Sequence, residues 1–172
     1  MRRTEETSAG TVTLLIGPVG AGKSTLGREL AACKAAVFLN LDRWMVRLYG
    51  ADARPSDGVI AWYLERRDRC RAVMLETSIA MALTGTDVIL ELGLVGVAER
   101  RAAYEAVRGA DLELTVRLVD APRELRRERV ARRTAEGGEG MQQIPPAMFE
   151  LASDAWQPVT DLERDAWGVI DS

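Results

Sequence analysis

The stretch Val12-Thr13-Leu14-Leu15-Ile16-Gly17-Pro18-Val19-Gly20-Ala21-Gly22-Lys23-Ser24 decides how this chain folds. Its first five residues are a mostly apolar run, the pattern of a strand buried on both faces. Gly17 to Ser24 then spell G-x-x-x-x-G-K-S in full. From Ser24 to about Lys34 the apolar positions Leu26, Leu30 and Cys33 fall at helical spacing. A glycine-rich loop between a buried strand and a helix turns main-chain N–H groups inward and ends on a positive helix terminus, which suits a phosphate. Lys23 then supplies a point charge for the β- and γ-phosphates, and Ser24 a hydroxyl ligand for Mg²⁺. Of 23 basic residues only Lys23 and Lys34 are lysines, so a compact ammonium stands where such a loop needs one. ATP, or a close relative of it, is the expected ligand.

Composition narrows the chemistry around that loop. The 172 residues suit one domain, read as a flexible leader over 1–10 and a single domain over 11–172. At 47% hydrophobic and 28% charged residues the balance is that of an ordinary globular enzyme. A formal charge of −3 provides no global basic field, so neither a membrane surface nor nucleic acid is the expected partner. Two cysteines argue against a disulfide framework, and Arg2 and Arg3 precede no apolar segment of the secretory kind, so a cytoplasmic location is expected. Histidine is absent, which excludes a histidine base, a Ser-His-Asp triad and a histidine-built zinc site. Carboxylates, Lys, Arg, hydroxyls and main-chain amides remain, with Mg²⁺, and phosphoryl transfer runs on that kit.

Along the chain, apolar runs alternate with helical patterns. Strands are expected at 12–16, 36–39, 88–92 and 112–119, with a last one at 167–170. Helices are expected over 24–34, from Asp42 with Trp44, Met45 and Leu48 inward, over 59–83, 97–108 and 123–136, and from about Ala147. Gly137 to Gly140 reads as a mobile loop. Alternation of this kind implies an α/β fold of three layers, a mainly parallel five-stranded sheet with helices on both faces.

A phosphate loop alone does not separate a kinase from a GTPase, a motor or an ABC ATPase. The guanine-reading motif and an LSGGQ-like signature are both missing, and the chain is too short for a hexameric AAA+ ATPase with a helical lid domain. The loop with Thr25 is followed by Phe38-Leu39-Asn40-Leu41-Asp42-Arg43-Trp44 and Val88-Ile89-Leu90-Glu91. Pro122-x-Glu124-Leu125 with Arg129 and Arg133, and Pro145-x-x-Met148-Phe149-Glu150, complete the pattern. In this combination the chain resembles the P-loop kinases of the clan that includes chloramphenicol phosphotransferase, zeta-toxin kinases, gluconate kinase and the 5′-kinase domain of polynucleotide kinase. Such proteins are often labelled only AAA family ATPases.

The resemblance implies a nucleotide cradle at Gly17, Pro18, Val19, Gly20, Ala21, Gly22, Lys23, Ser24 and Thr25. It places Asp42 opposite the acceptor hydroxyl to take its proton, although the same residue could simply N-cap the following helix. Glu91, at a position where the clan more often has Asp, is expected to hold Mg²⁺ together with Ser24 or to orient the acceptor. Six arginines crowd 123–133, of which Arg126, Arg129 and Arg133 share a helix face. The resemblance makes this segment an arginine-rich lid over about 123–144 that clamps the transferring group, with Arg129 and Arg133 preferred and a solvated salt-bridged helix as the plainer alternative.

The expected partner is a small molecule bearing a hydroxyl. A polynucleotide or nucleoside kinase, and a nucleotide-binding switch or toxin-like module acting through a protein, stand as alternatives. The aromatic and arginine mixture Trp44, Tyr49, Trp62, Tyr63, Arg43, Arg47, Arg66 and Arg67 could meet a planar or anionic acceptor, or could pack on the core with its arginines in solvent. Cys33 and Cys70 read as buried small hydrophobes, and Trp156 and Trp167 as C-terminal packing.

Overall fold

The computed structural model describes residues 8–137 and 144–172. Strand β1 (Val12–Ile16) is buried at every position, as its uninterrupted apolar pattern requires. It is followed by α1 (Lys23–Lys34), β2 (Val37–Asn40), α2 (Leu41–Tyr49), α3 (Val59–Leu83) and β3 (Val88–Glu91). Then come α4 (Val97–Gly109), β4 (Leu114–Leu118), α5 (Arg123–Glu136), α6 (Pro146–Asp154), α7 (Asp161–Trp167) and β5 (Ile170–Asp171).

The five strands form one sheet in the order β2-β3-β1-β4-β5, and every pairing is parallel. The first strand is therefore central, with β3 on one side and β4 on the other. The chain leaves β1 toward one edge, returns through β3, and only then fills the other half. Such a reversal of strand order opens a crevice at the carboxyl ends of the central strands. Register fixes what stands there, since Asn40 pairs with Glu91 and Ile16 with Leu118.

Alternation along each strand sorts the two faces. Val12, Leu14, Ile16, Leu90, Leu92, Val116 and Leu118 pack with Met74 of α3 and Tyr104 of α4 in one core. Helix α1 packs against β1, β2 and β3, so close to β2 that a Cβ on Gly27 would run into the Phe38 ring. Gly10 already belongs to the folded body, because its N–H donates to Ala82 O at 2.8 Å. No helix among the described residues is long and apolar enough to cross a membrane.

Four expectations are corrected. The run 167–170 is not a strand throughout. Trp167 ends α7, whose start is capped by Thr160 accepting from Glu163 N, and β5 begins only at Ile170. A seven-residue helix is too short to show a helical period of its own. Leu48 points outward at 54% exposure rather than inward, because α2 rests on α3 through Met45, with Trp44 partly buried. Cys33 lies on the exposed face of α1, whereas Cys70 is buried as expected. Asn40, not Asp42, caps α2, accepting from Arg43 N. Residues 138–140 of the expected mobile loop lie outside the described residues, as do residues 1–7 of the leader.

A buried ion pair joins the C-terminal segment to the body. Arg100 is fully buried and meets Glu163 through two bonds, Nε to Oε1 at 2.7 Å and Nη2 to Oε2 at 2.6 Å. Its Nη1 donates to Val95 O and Gln157 O, and Trp156 covers the guanidinium at 4.8 Å. Tyr104 donates its hydroxyl to Glu163 Oε1 at 2.9 Å, and burial together with that carboxylate pushes the phenol well above its usual range. Glu163→Gln leaves the arginine charge buried without a counter-charge. A loss of about 3–5 kcal/mol in unfolding free energy is expected from urea denaturation, and a loss within 1 kcal/mol would show that the pair does not hold this segment.

Candidate functional site

The loop after β1 owes its shape to three glycines with positive φ, Gly17 at 142°, Gly20 at 78° and Gly22 at 114°. Gly17 is wedged against Val119, whose carbonyl occupies the space a Cβ would need, while Val119 N donates to Ile16 O at 2.9 Å. Gly20 lets α5 approach, since a Cβ there would stand 2.8 Å from Arg126 O. Gly22 starts α1 in the left-handed region, and Thr25 N and Leu26 N fold back onto its carbonyl at 3.0 and 3.1 Å.

Lys23 is buried, and its ammonium donates to Gly17 O at 2.8 Å and Pro18 O at 2.9 Å. Glu91 Oε1 lies 3.9 Å away. Burial lowers the lysine's pKa, opposed by Glu91 and Asp42 and reinforced by Arg126 and Arg133. Burial also raises the Glu91 carboxyl, opposed by Lys23. Two carboxylates and two guanidiniums thus act on one ammonium, as expected where phosphate charge is handled.

Glu91 is held from the other side as well. Its Oε2 accepts from Ser24 Oγ at 2.9 Å and from Asn40 Nδ2 at 2.5 Å, and the same amide reaches Ser24 Oγ at 3.3 Å. The β2–β3 register makes Asn40 and Glu91 neighbours, so this contact follows from strand pairing. Sequence reading passed over Asn40. The signal was there: a polar residue ending an apolar strand two positions before Asp42. Asp42 itself lies in the first turn of α2, half-buried.

Helix α5 is docked on the loop. Arg126 is buried and donates from Nη1 to Val19 O at 3.0 Å and to Ser153 Oγ of α6 at 3.2 Å, and from Nε to Ala121 O at 2.9 Å. Arg129 Nη1 donates to Ala21 O at 3.1 Å. Arg133 Nε is a buried donor with no hydrogen-bond partner. Arg123 and Arg127 turn away and pair with Glu150, which pulls that carboxyl down to about 2. The arginine cluster therefore divides: 126, 129 and 133 face the loop, and 123 and 127 bind α6.

In the insert, Arg66 lies over the Trp62 ring at 4.1 Å and over Tyr49 at 5.5 Å, and Arg54 also lies over Trp62 at 5.6 Å. Cation and ring here pair with each other, whereas the plainer alternative had placed the arginines in solvent. Trp156 and Trp167 pack on the core beside Arg100 and Tyr104.

A protein-family model described as AAA domain matches residues 12–155. Guanylate kinase of Bifidobacterium longum is 27% identical over 197 residues, covering 97% of this chain and 96% of its own length. Among solved structures, a gluconokinase from Sinorhizobium meliloti superposes with a TM-score of 0.62 at 15% identity, covering 96% of this chain and 83% of its own. Chaetomium thermophilum Kti12, solved with ADP-AlF3, gives 0.67 at 16% identity, covering 94% and 88%. The structural likenesses establish an α/β fold of the P-loop NTPase kind.

Asn40 and Asp42 can be told apart by stability. Asn40→Ala removes the α2 cap and a partner of the buried Glu91, and is expected to cost about 1–2 kcal/mol. Asp42→Ala removes only a first-turn carboxylate and should cost about 0.3–1 kcal/mol. Denaturant midpoints measured side by side check the order, and a larger loss at Asp42 would reverse the assignment.

Proposed function

The chain belongs to the AAA domain family, and on that premise we propose that it moves the γ-phosphate of Mg-ATP to a hydroxyl of a small molecule. The observation that carries this reading is the gathering on one phosphate loop of Lys23 and Ser24 with Glu91, 3.9 and 2.9 Å away, and of Arg126 and Arg129, which donate to the loop's carbonyls. A carboxylate suited to a metal and guanidiniums suited to a phosphoryl group thus stand against that loop.

In this proposal, residues Gly17–Thr25 cradle the nucleotide through main-chain N–H groups and the start of α1. Lys23 exchanges its bonds to Gly17 O and Pro18 O for phosphate oxygens. The acceptor oxygen forms a bond to the γ-phosphorus as the bond from that phosphorus to the β,γ-bridging oxygen breaks. The electron pair leaves with ADP, and the hydroxyl proton passes to Asp42. Arg129 and Arg133 neutralise charge on the moving group, and the unpartnered Arg133 Nε supports that role. The lid is taken, as the resemblance implies, as about 123–144, of which residues 138–143 lie outside the described residues.

Hard oxygen donors suit Mg²⁺, and Ser24 Oγ with the Glu91 carboxylate, 2.9 Å apart, offer such a pair. Among the described residues no group of three or more acidic, Cys or His side chains could hold an ion by itself. Mg²⁺ bound there would neutralise charge on the nucleotide's phosphates. We further propose that the protein works in the cytoplasm.

Two variants test the mechanism. Lys23→Ala should abolish ATP turnover. Asp42→Asn should keep nucleotide affinity while lowering acceptor phosphorylation by about 10²-fold or more, and undiminished transfer would remove Asp42 from the mechanism. A pH series adds an independent check. Since burial lowers the Lys23 pKa, raising the pH discharges it before an ordinary lysine near about 10.4 would lose its proton. ADP affinity followed by calorimetry should therefore fall with rising pH at lower pH than that. A flat profile up to that value would count against Lys23 as the phosphate ligand.

A further inference from the structure

We infer that Asn40 is a positioning residue of the nucleotide and metal site, whose amide sets the Glu91 carboxylate and the Ser24 hydroxyl against each other, an inference that rests on the Mg²⁺ pair proposed above. Asn40 is the last residue of β2 and only 4% exposed. It is the partner of Glu91 across the parallel ladder, so the two side chains leave the sheet on the same face.

The amide is fixed at both ends. Its Oδ1 accepts from Arg43 N at 2.9 Å, which caps the start of α2. Its Nδ2 donates to Glu91 Oε2 at 2.5 Å and reaches Ser24 Oγ at 3.3 Å. A flipped amide would set its oxygen against a carboxylate and its NH₂ group against a main-chain N–H. One orientation therefore satisfies both sides, and the helix start aims a donor at the site.

The effect falls on both members of the pair. Glu91 Oε2 accepts from Asn40 on β2 and from Ser24 Oγ on α1 at 2.9 Å, while Oε1 faces Lys23 Nζ at 3.9 Å. A carboxylate held by one donor can still turn about that contact, whereas donors from separate elements fix the plane of the group. Ser24 Oγ donates to Glu91 and accepts from Asn40, which commits its proton and leaves lone-pair density for a hard cation. Side chains that orient a metal's ligands from behind are worth about 10–100-fold in metal affinity or activity.

The test follows ADP binding by calorimetry on the whole protein, with no acceptor present, in EDTA and across a series of Mg²⁺ concentrations. Asn40→Ser and Asn40→Thr keep a capping oxygen, but their hydroxyl is one bond shorter than the amide and is withdrawn from Glu91. Asn40→Ala removes cap and donor together. All three variants should need about 10-fold more Mg²⁺ or greater for half-maximal enhancement of ADP binding, while the serine and threonine variants keep the wild-type ADP affinity in EDTA. A wild-type Mg²⁺ response in the serine and threonine variants, with the loss confined to alanine, would reduce Asn40 to a helix cap and overturn the inference. So would an equal loss of ADP affinity with and without the metal. Wild-type ADP binding that ignores Mg²⁺ would defeat the Ser24–Glu91 metal pair and this inference with it. Failure of every acceptor to be phosphorylated would defeat the kinase reading alone, because no acceptor enters this measurement.

Discussion

A lysine ammonium buried in a bend of main chain is costly unless oxygen atoms surround it, and much of this structure supplies them. Gly17 O and Pro18 O accept from it directly, and Glu91 stands 3.9 Å away. For the loop to curl around that charge, its backbone must pass three times through the left-handed region, at Gly17, Gly20 and Gly22. Those same glycines allow two further elements to close in. Val119 presses on Gly17, and α5 presses on Gly20. The loop, the end of β4 and the arginine-bearing helix are thus one packed unit, with Arg126 fastening Val19 to Ser153 of α6. Glu91 joins the same unit to the other half of the sheet, through Ser24 on α1 and Asn40 on β2.

Much of this was legible in the sequence because the signals are local. The apolar run before Gly17, the spacing of the loop and the long pattern from Val59 to Leu83 each fix an element without help from distant residues. The expected parallel sheet of five strands with helices on both faces is the one observed. What escaped was set by contacts between distant positions. Asn40 gains its place only because β2 pairs with β3 in a register that puts it against Glu91. The division of the arginines depends on Glu150 standing across from 123 and 127, while the phosphate loop lies beneath 126 and 129. Leu48 and Cys33 read as apolar positions of helical patterns, yet nothing covers them fully, because sequence periodicity does not reveal where a neighbouring helix stops.

The two sides of the crevice differ in character. Around the phosphate loop, charged groups gather and, among the described residues, Arg133 Nε remains without a hydrogen-bond partner. On the side of α3 and α4 the charges settle one another, and what remains open is aliphatic.

The Arg100–Glu163 pair has a consequence for how the protein comes into being. The two partners are separated by 63 positions, so on the ribosome the arginine emerges long before its counter-ion. Until Glu163 clears the exit tunnel, α4 can settle on the sheet only with that guanidinium hydrated. Burial of Arg100 with its charge compensated therefore requires α7, the last helix of the chain to be synthesised.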